Sequence, residues 1–111
     1  MPGTPPPNEA LAELVSLLGE EETRDLVRLF LKDFSETMEA LVHGPAKDHL
    51  RVAHSMKSSA QYMGARDLSE RFKALEARLG NPGEAITPAD LKAIEADFAR
   101  TEGPLRAFVD A

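Results

Sequence analysis

The residue types best suited to chemistry fall in one stretch, residues 53–65, which reads AHSMKSSAQYMGA. On a helix, where successive side chains turn by about 100°, Leu50, Lys57, Ser58 and Gln61 fall within roughly 60° of His54. Val52, Met56 and Met63 point the other way. Such a helix buries one side and displays an imidazole on the other. The displayed face holds a nitrogen nucleophile, a cation one turn along at Lys57, and a small residue at Ser58 that leaves room for something large to approach. A lone helical histidine is more often structural or merely exposed, and a helix lysine is ordinarily solvated. It is their combination opposite an apolar stripe that makes a candidate site.

The same residues carry a resemblance. The stretch resembles the signature of histidine phosphotransfer (Hpt) domains. That pattern runs alanine, histidine, any residue, apolar, lysine, glycine, two small residues, two variable ones, apolar, glycine, alanine. Ala53, His54, Met56, Lys57, Ser59, Ala60, Met63, Gly64 and Ala65 stand where it wants them. Ser58 departs from it, since the family usually has glycine there. A serine is still small, but it adds a hydroxyl beside the imidazole. Residues 26–41 and 68–79 match the family's flanking helices, so the resemblance covers most of the chain.

The resemblance implies that His54 is the phosphorylated nucleophile and Lys57 a stabiliser of charge on the moving phosphoryl group. Leu50, Arg51, Ser58, Gln61 and Ala65 would form the docking surface, with Ala65 keeping it low. The implied partner is a response-regulator receiver domain, free or within a hybrid histidine kinase, whose aspartyl phosphate exchanges with His54. Magnesium would belong to the receiver, with no cofactor intrinsic to this chain. The chemistry asks for a nitrogen lone pair, an open in-line approach and nearby positive charge. A neutral imidazole supplies the first. Lys47 and Arg51 add a basic rim within an acidic chain, which would steer an acidic active site.

Other chemistries are poorly served. His43, His49 and His54 have poor spacing for a shared metal, since residues five apart such as His49 and His54 face different ways on a helix, and no Glu-x-x-His pair of the di-iron bundles occurs. No glycine-rich phosphate loop of the Walker type is present. The resemblance implies a phosphoryl carrier rather than an autonomous enzyme, and no ATP-dependent kinase activity of its own is expected. An alternative of another class is a non-catalytic helical adaptor that binds a signalling partner through the same face. A third is a bundle that serves only to dimerise.

Several helices must position this face. At 111 residues the chain is long enough for one domain with a modest core. Cysteine is absent, so neither a disulfide frame nor a cysteine zinc site is possible, and the expected setting is the cytoplasm. No apolar run approaches the roughly 20 residues of a membrane span. The start, MPGTPPP, lacks the pattern of a signal peptide. A net charge of −6 with no tryptophan argues against nucleic acid.

In order, residues 1–7 form a proline-rich, disordered tail and residues 8–111 the domain. Asn8 caps a short first helix with Leu11, Leu14, Val15 and Leu18 on one face, and Gly19 stops it. Glu20, Glu21 and Glu22 suit the N-terminus of a second helix. Its apolar stripe takes in Leu26, Leu29, Phe30, Phe34, Met38, Leu41 and Val42, widened by Val27 and Leu31. His43 ends that helix before Gly44. Pro45 opens the third, which runs to about Met63, with His49 on its buried boundary and a tight turn at Gly64. Residues 66–79 form a fourth, with Leu68, Phe72, Leu75 and Leu79 inward. Thr87 and Pro88 start a fifth, carrying Leu91, Ile94, Phe98, Leu105 and Phe108, with a kink or break expected at Gly103 and Pro104. The expected fold is all-α: an antiparallel four-helix bundle with a short N-terminal capping helix, monomeric in solution.

Overall fold

A computed structural model of the chain describes residues 5–110. Residues 1–4 of the predicted tail lie outside that range, and Pro5 to Pro7 precede the first helix without joining it. Five α-helices follow: α1 (Glu9–Leu18), α2 (Glu20–His43), α3 (His49–Tyr62), α4 (Arg66–Leu79) and α5 (Pro88–Val109). There is no strand among the described residues. Helices α2 to α5 pack in a ring, each against the next, with α5 closing on α2, while α1 lies against α2. The diagonal pairs barely touch, so the α3/α4 seam is opposite the α2/α5 seam.

The start signals act as the sequence predicts. Asn8 Oδ1 accepts the Leu11 backbone N–H at 2.9 Å, and Thr87 forms a reciprocal capping box with Asp90 ahead of Pro88. Gly19 and Gly64 both take positive φ, 90° and 75°. At Gly64 a second constraint applies. Asn8 Nδ2 donates to the Met63 carbonyl at 3.0 Å, and a Cβ on residue 64 would lie 2.3 Å from Asn8 Oδ1. One asparagine thus caps α1 and fastens its start to the α3/α4 turn.

The core gathers Leu11, Val27, Phe30, Phe34, Met56, Leu68, Phe72, Ile94, Leu105 and Phe108, all buried. Polar groups tie the helices at their edges. Arg24, 7% exposed, donates through Nε to the Phe108 carbonyl at 3.2 Å while its guanidinium lies 5.3 Å from the Phe108 ring centre. Arg28 donates to the Val109 carbonyl at 3.2 Å, so two arginines of α2 satisfy carbonyls that the end of α5 leaves unpaired. Buried Asp97 on α5 accepts from Arg71 Nε of α4 at 2.7 Å and pairs with Arg100 one turn along.

Four details depart from the sequence expectation. Leu29 and Val42 are 51% and 50% exposed, outside the core. The buried stripe of α2 is carried by Val27, Phe30, Leu31, Phe34 and Leu41, and Leu29 sits about 200° around the helix from Val27. Leu18 is likewise exposed, at the end of α1. Pro45 does not open α3: it caps a single 3-10 turn, Ala46–Asp48, and α3 begins at His49. Helix α5 runs unbroken through Gly103 and Pro104. Proline in a helix interior costs about 3 kcal/mol, but full burial of Leu105 and Phe108 beyond it returns about 1.5–3 kcal/mol for each side chain. Keeping both in the core requires the helix to continue.

Candidate functional site

The α3/α4 hairpin builds the site. Gly64 reverses the chain between the two helices, and Ser69 Oγ of α4 donates to the Lys57 carbonyl of α3 at 3.1 Å, fixing their register. His54 and Glu76 stand the same number of residues either side of Ala65, and this register brings them together. Ala53, Met56 and Ala60 face the core, which turns His54 outward, with its side chain 62% exposed.

His54 Nδ1 donates to Glu76 Oε2, and Lys57 Nζ donates to Glu76 Oε1 at 2.7 Å. One carboxylate therefore holds both residues singled out in the sequence. The Lys57 hydrogen bond, joined by that from His54, keeps the Glu76 carboxyl below the usual carboxylate range. An ionised carboxylate can only accept, so Nδ1 is the nitrogen that carries hydrogen. In the neutral ring the lone pair then belongs to Nε2, on the side away from Glu76. A carboxylate orienting an imidazole in this way fixes both tautomer and ring plane, as in other histidine sites.

The remaining predicted residues divide. Ser58 and Gln61 are exposed on α3 near His54, and Leu50 is 41% exposed one turn before it. Arg51 is exposed, with a loose pair to Asp48 at 3.7 Å. Ala65 is not on this face. It is 5% exposed in the core, where its N–H bonds the Ala60 carbonyl at 2.9 Å and its own carbonyl receives the Ser69 N–H at 2.9 Å. The positive φ at Gly64 turns the next residue inward, so Ala65 closes the hairpin from below. His49 lies at the boundary of α3, its Nε2 3.2 Å from the Gly44 carbonyl.

Two features escape a reading of the sequence alone. Glu76 has no local motif, and only pairing α3 and α4 symmetrically about the turn would have selected it. The second is an apolar groove beside Ser58, lined by Leu26, Leu29, Tyr62 and Met63 between α2 and α3. Tyr62 and Leu29 are 62% and 51% exposed there. No group of residues able to hold a metal ion occurs among the described residues.

The fold is an all-α bundle with an exposed histidine on one face, and the Hpt domain family matches residues 25–103. The match covers most of the chain and includes every element that builds the site, so the chain belongs to the Hpt domain family. Its role is accordingly one of phosphotransfer in two-component signalling. No curated protein and no solved structure matches the chain. Among the described residues no helix is long and apolar enough to cross a membrane.

Proposed function

We propose that the chain carries a phosphoryl group on His54 Nε2 between the aspartates of receiver domains. The observation that supports this most is the assignment of Nδ1 to Glu76, which leaves the lone pair of an exposed imidazole facing solvent. In the forward step Nε2 attacks phosphorus in a receiver's aspartyl phosphate. The new N–P bond forms as the P–O bond of the acyl phosphate breaks, and the electron pair leaves with the aspartate carboxylate. The ring becomes a phosphoimidazolium that keeps its Nδ1 hydrogen. Glu76 stabilises that positive ring, and the same steps in reverse load a second receiver.

Lys57 begins paired to Glu76 and lies one turn from His54, within reach of the incoming phosphoryl oxygens. Ser58, Gln61, Leu50 and Arg51 surround the imidazole as the docking surface. We extend that surface over the Leu29 and Tyr62 groove, which gives an apolar receiver helix something to bury. Magnesium comes with the receiver, and the chain works as a monomer in the cytoplasm. The test is incubation with a panel of phosphorylated receiver domains and magnesium. Acid-labile, base-stable label on the native chain and none on His54→Gln supports the proposal. A receiver that binds but never transfers would mark the chain as an adaptor.

A further inference from the structure

The opposite seam carries a surface that the phosphotransfer chemistry does not use. Between the C-terminal half of α2 and the middle of α5 runs an open groove. Its floor is apolar: Met38, Val42 and Phe98, with Phe98 stacked on Phe34 at a ring separation of 3.7 Å. Val42 is half exposed with nothing packed over it. The rim is acidic on both sides, with Glu39 on α2 facing Glu95 and Glu102 on α5, and no lysine or arginine lines the groove. Glu102 pairs with Arg106 at 2.7 Å, whereas Glu39 and Glu95 make no ion pair among the described residues. The last turn of α2 ends here at His43, adding the negative end of a helix dipole.

We infer that this groove docks a basic amphipathic helix of a partner protein, on the side of the bundle away from His54. Shape and charge choose the occupant. The α2 wall spans residues 34–43, about 14 Å at the helical rise, or between two and three turns. A helix with apolar side chains at i, i+4 and i+7 matches that length and fills the floor. Lysines or arginines flanking the apolar strip on both sides meet Glu39 on one wall and Glu95 on the other. A second copy of this chain does not fit, because a symmetric contact would set the same glutamates against each other within a chain of net charge −6. The α2/α5 and α3/α4 seams are opposite, so a helix held here leaves His54 free for a receiver. The inference rests on the groove's shape and charge and stands apart from the phosphoryl-carrier reading.

The test uses the full chain and a labelled synthetic helix of leucine and lysine, about four turns long, titrated by fluorescence anisotropy at about 0.15 M salt. Saturable binding of one peptide per chain is expected, with amide shift changes centred on residues 34–43 and 95–102. The double substitution Glu39→Lys, Glu95→Lys should weaken binding about tenfold or more. An equal change in net charge at exposed Glu13→Lys, Glu22→Lys should leave it within about twofold. All four positions are exposed, so the folded state survives each change. Absence of saturable binding overturns the inference. So does equal weakening by both charge variants, or shift changes centred on His54 and Lys57.

Discussion

Glu76 accepts the Nδ1 hydrogen of His54 across the α3/α4 seam and, through its other oxygen, the ammonium hydrogen of Lys57. This one carboxylate decides which nitrogen of the neutral imidazole keeps its lone pair and where the nearest cation begins. Glu76→Gln keeps the shape but removes the charge opposite the ring. Transfer to and from a receiver should slow by roughly tenfold, equivalent to about 1.4 kcal/mol of transition-state stabilisation. Receiver affinity should change little, because Glu76 is partly covered and lies beside the proposed docking face. Rapid-quench transfer kinetics measured alongside a binding titration separate the two effects.

Acid stability should report a second carboxylate. The Arg78 hydrogen bond, joined by those from Thr87, holds Asp90 at about 2. An unfolded aspartate titrates near 3.9, so the stabilisation from Asp90 is complete above about pH 4 and is withdrawn as pH falls toward 2. Glu76, also held low, follows the same sign: its contribution is present above the unfolded glutamate range and lost as pH drops through its folded pKa. Asp90→Asn should flatten the acid limb of a urea-unfolding series. At neutral pH it should cost about 1 kcal/mol through the weakened cap. An acid limb unchanged by the substitution would contradict the Arg78 clamp.

The clamp between Asn8 and Gly64 predicts coupling between distant positions in sequence. Gly64→Ala meets both a positive φ and the Asn8 side chain, and should destabilise by about 1–3 kcal/mol. Asn8→Ala alone loses a cap worth about 1 kcal/mol. Together they should cost less than their sum, since removing the Asn8 amide relieves the contact at residue 64. Denaturant unfolding of the four chains completes the cycle.

Tyr62 and Leu29 lie on the surface, so polar substitution there should leave stability within about 0.5 kcal/mol of the parent. Tyr62→Ser with Leu29→Ser should nonetheless weaken receiver docking by about tenfold, read as a raised apparent KM for transfer with little change in its maximal rate. Unaltered docking would remove the groove from the interface.

Most of the fold was legible in the sequence because its signals are local. The Asn8 cap, the Thr87 and Pro88 start, the Gly64 reversal and the inward faces of α4 and α5 each need only a few neighbouring residues. What escaped depends on tertiary packing. Leu29 and Val42 are apolar residues of α2 that lie outside its buried stripe, a distinction set by which neighbours pack against the helix. Pro104 is accommodated inside α5, with Leu105 and Phe108 beyond it buried in the core. Ala65 sits inside a turn whose direction Gly64 decides. His54 and Lys57 stand out through the motif resemblance of one short helical stretch, but Glu76 lies on another helix, and its place depends on a register that no local motif encodes.

The proposed mechanism makes Nε2 of His54, left free by Glu76, the phosphoryl acceptor. It is tested most directly by phosphorylating the nitrogen-15-labelled chain with a receiver and reading long-range proton–nitrogen correlations of the imidazole. Phosphorus on Nε2, a retained hydrogen on Nδ1, and no phosphohistidine in His54→Gln are expected. Phosphorus on Nδ1, or label that survives the substitution, would contradict it.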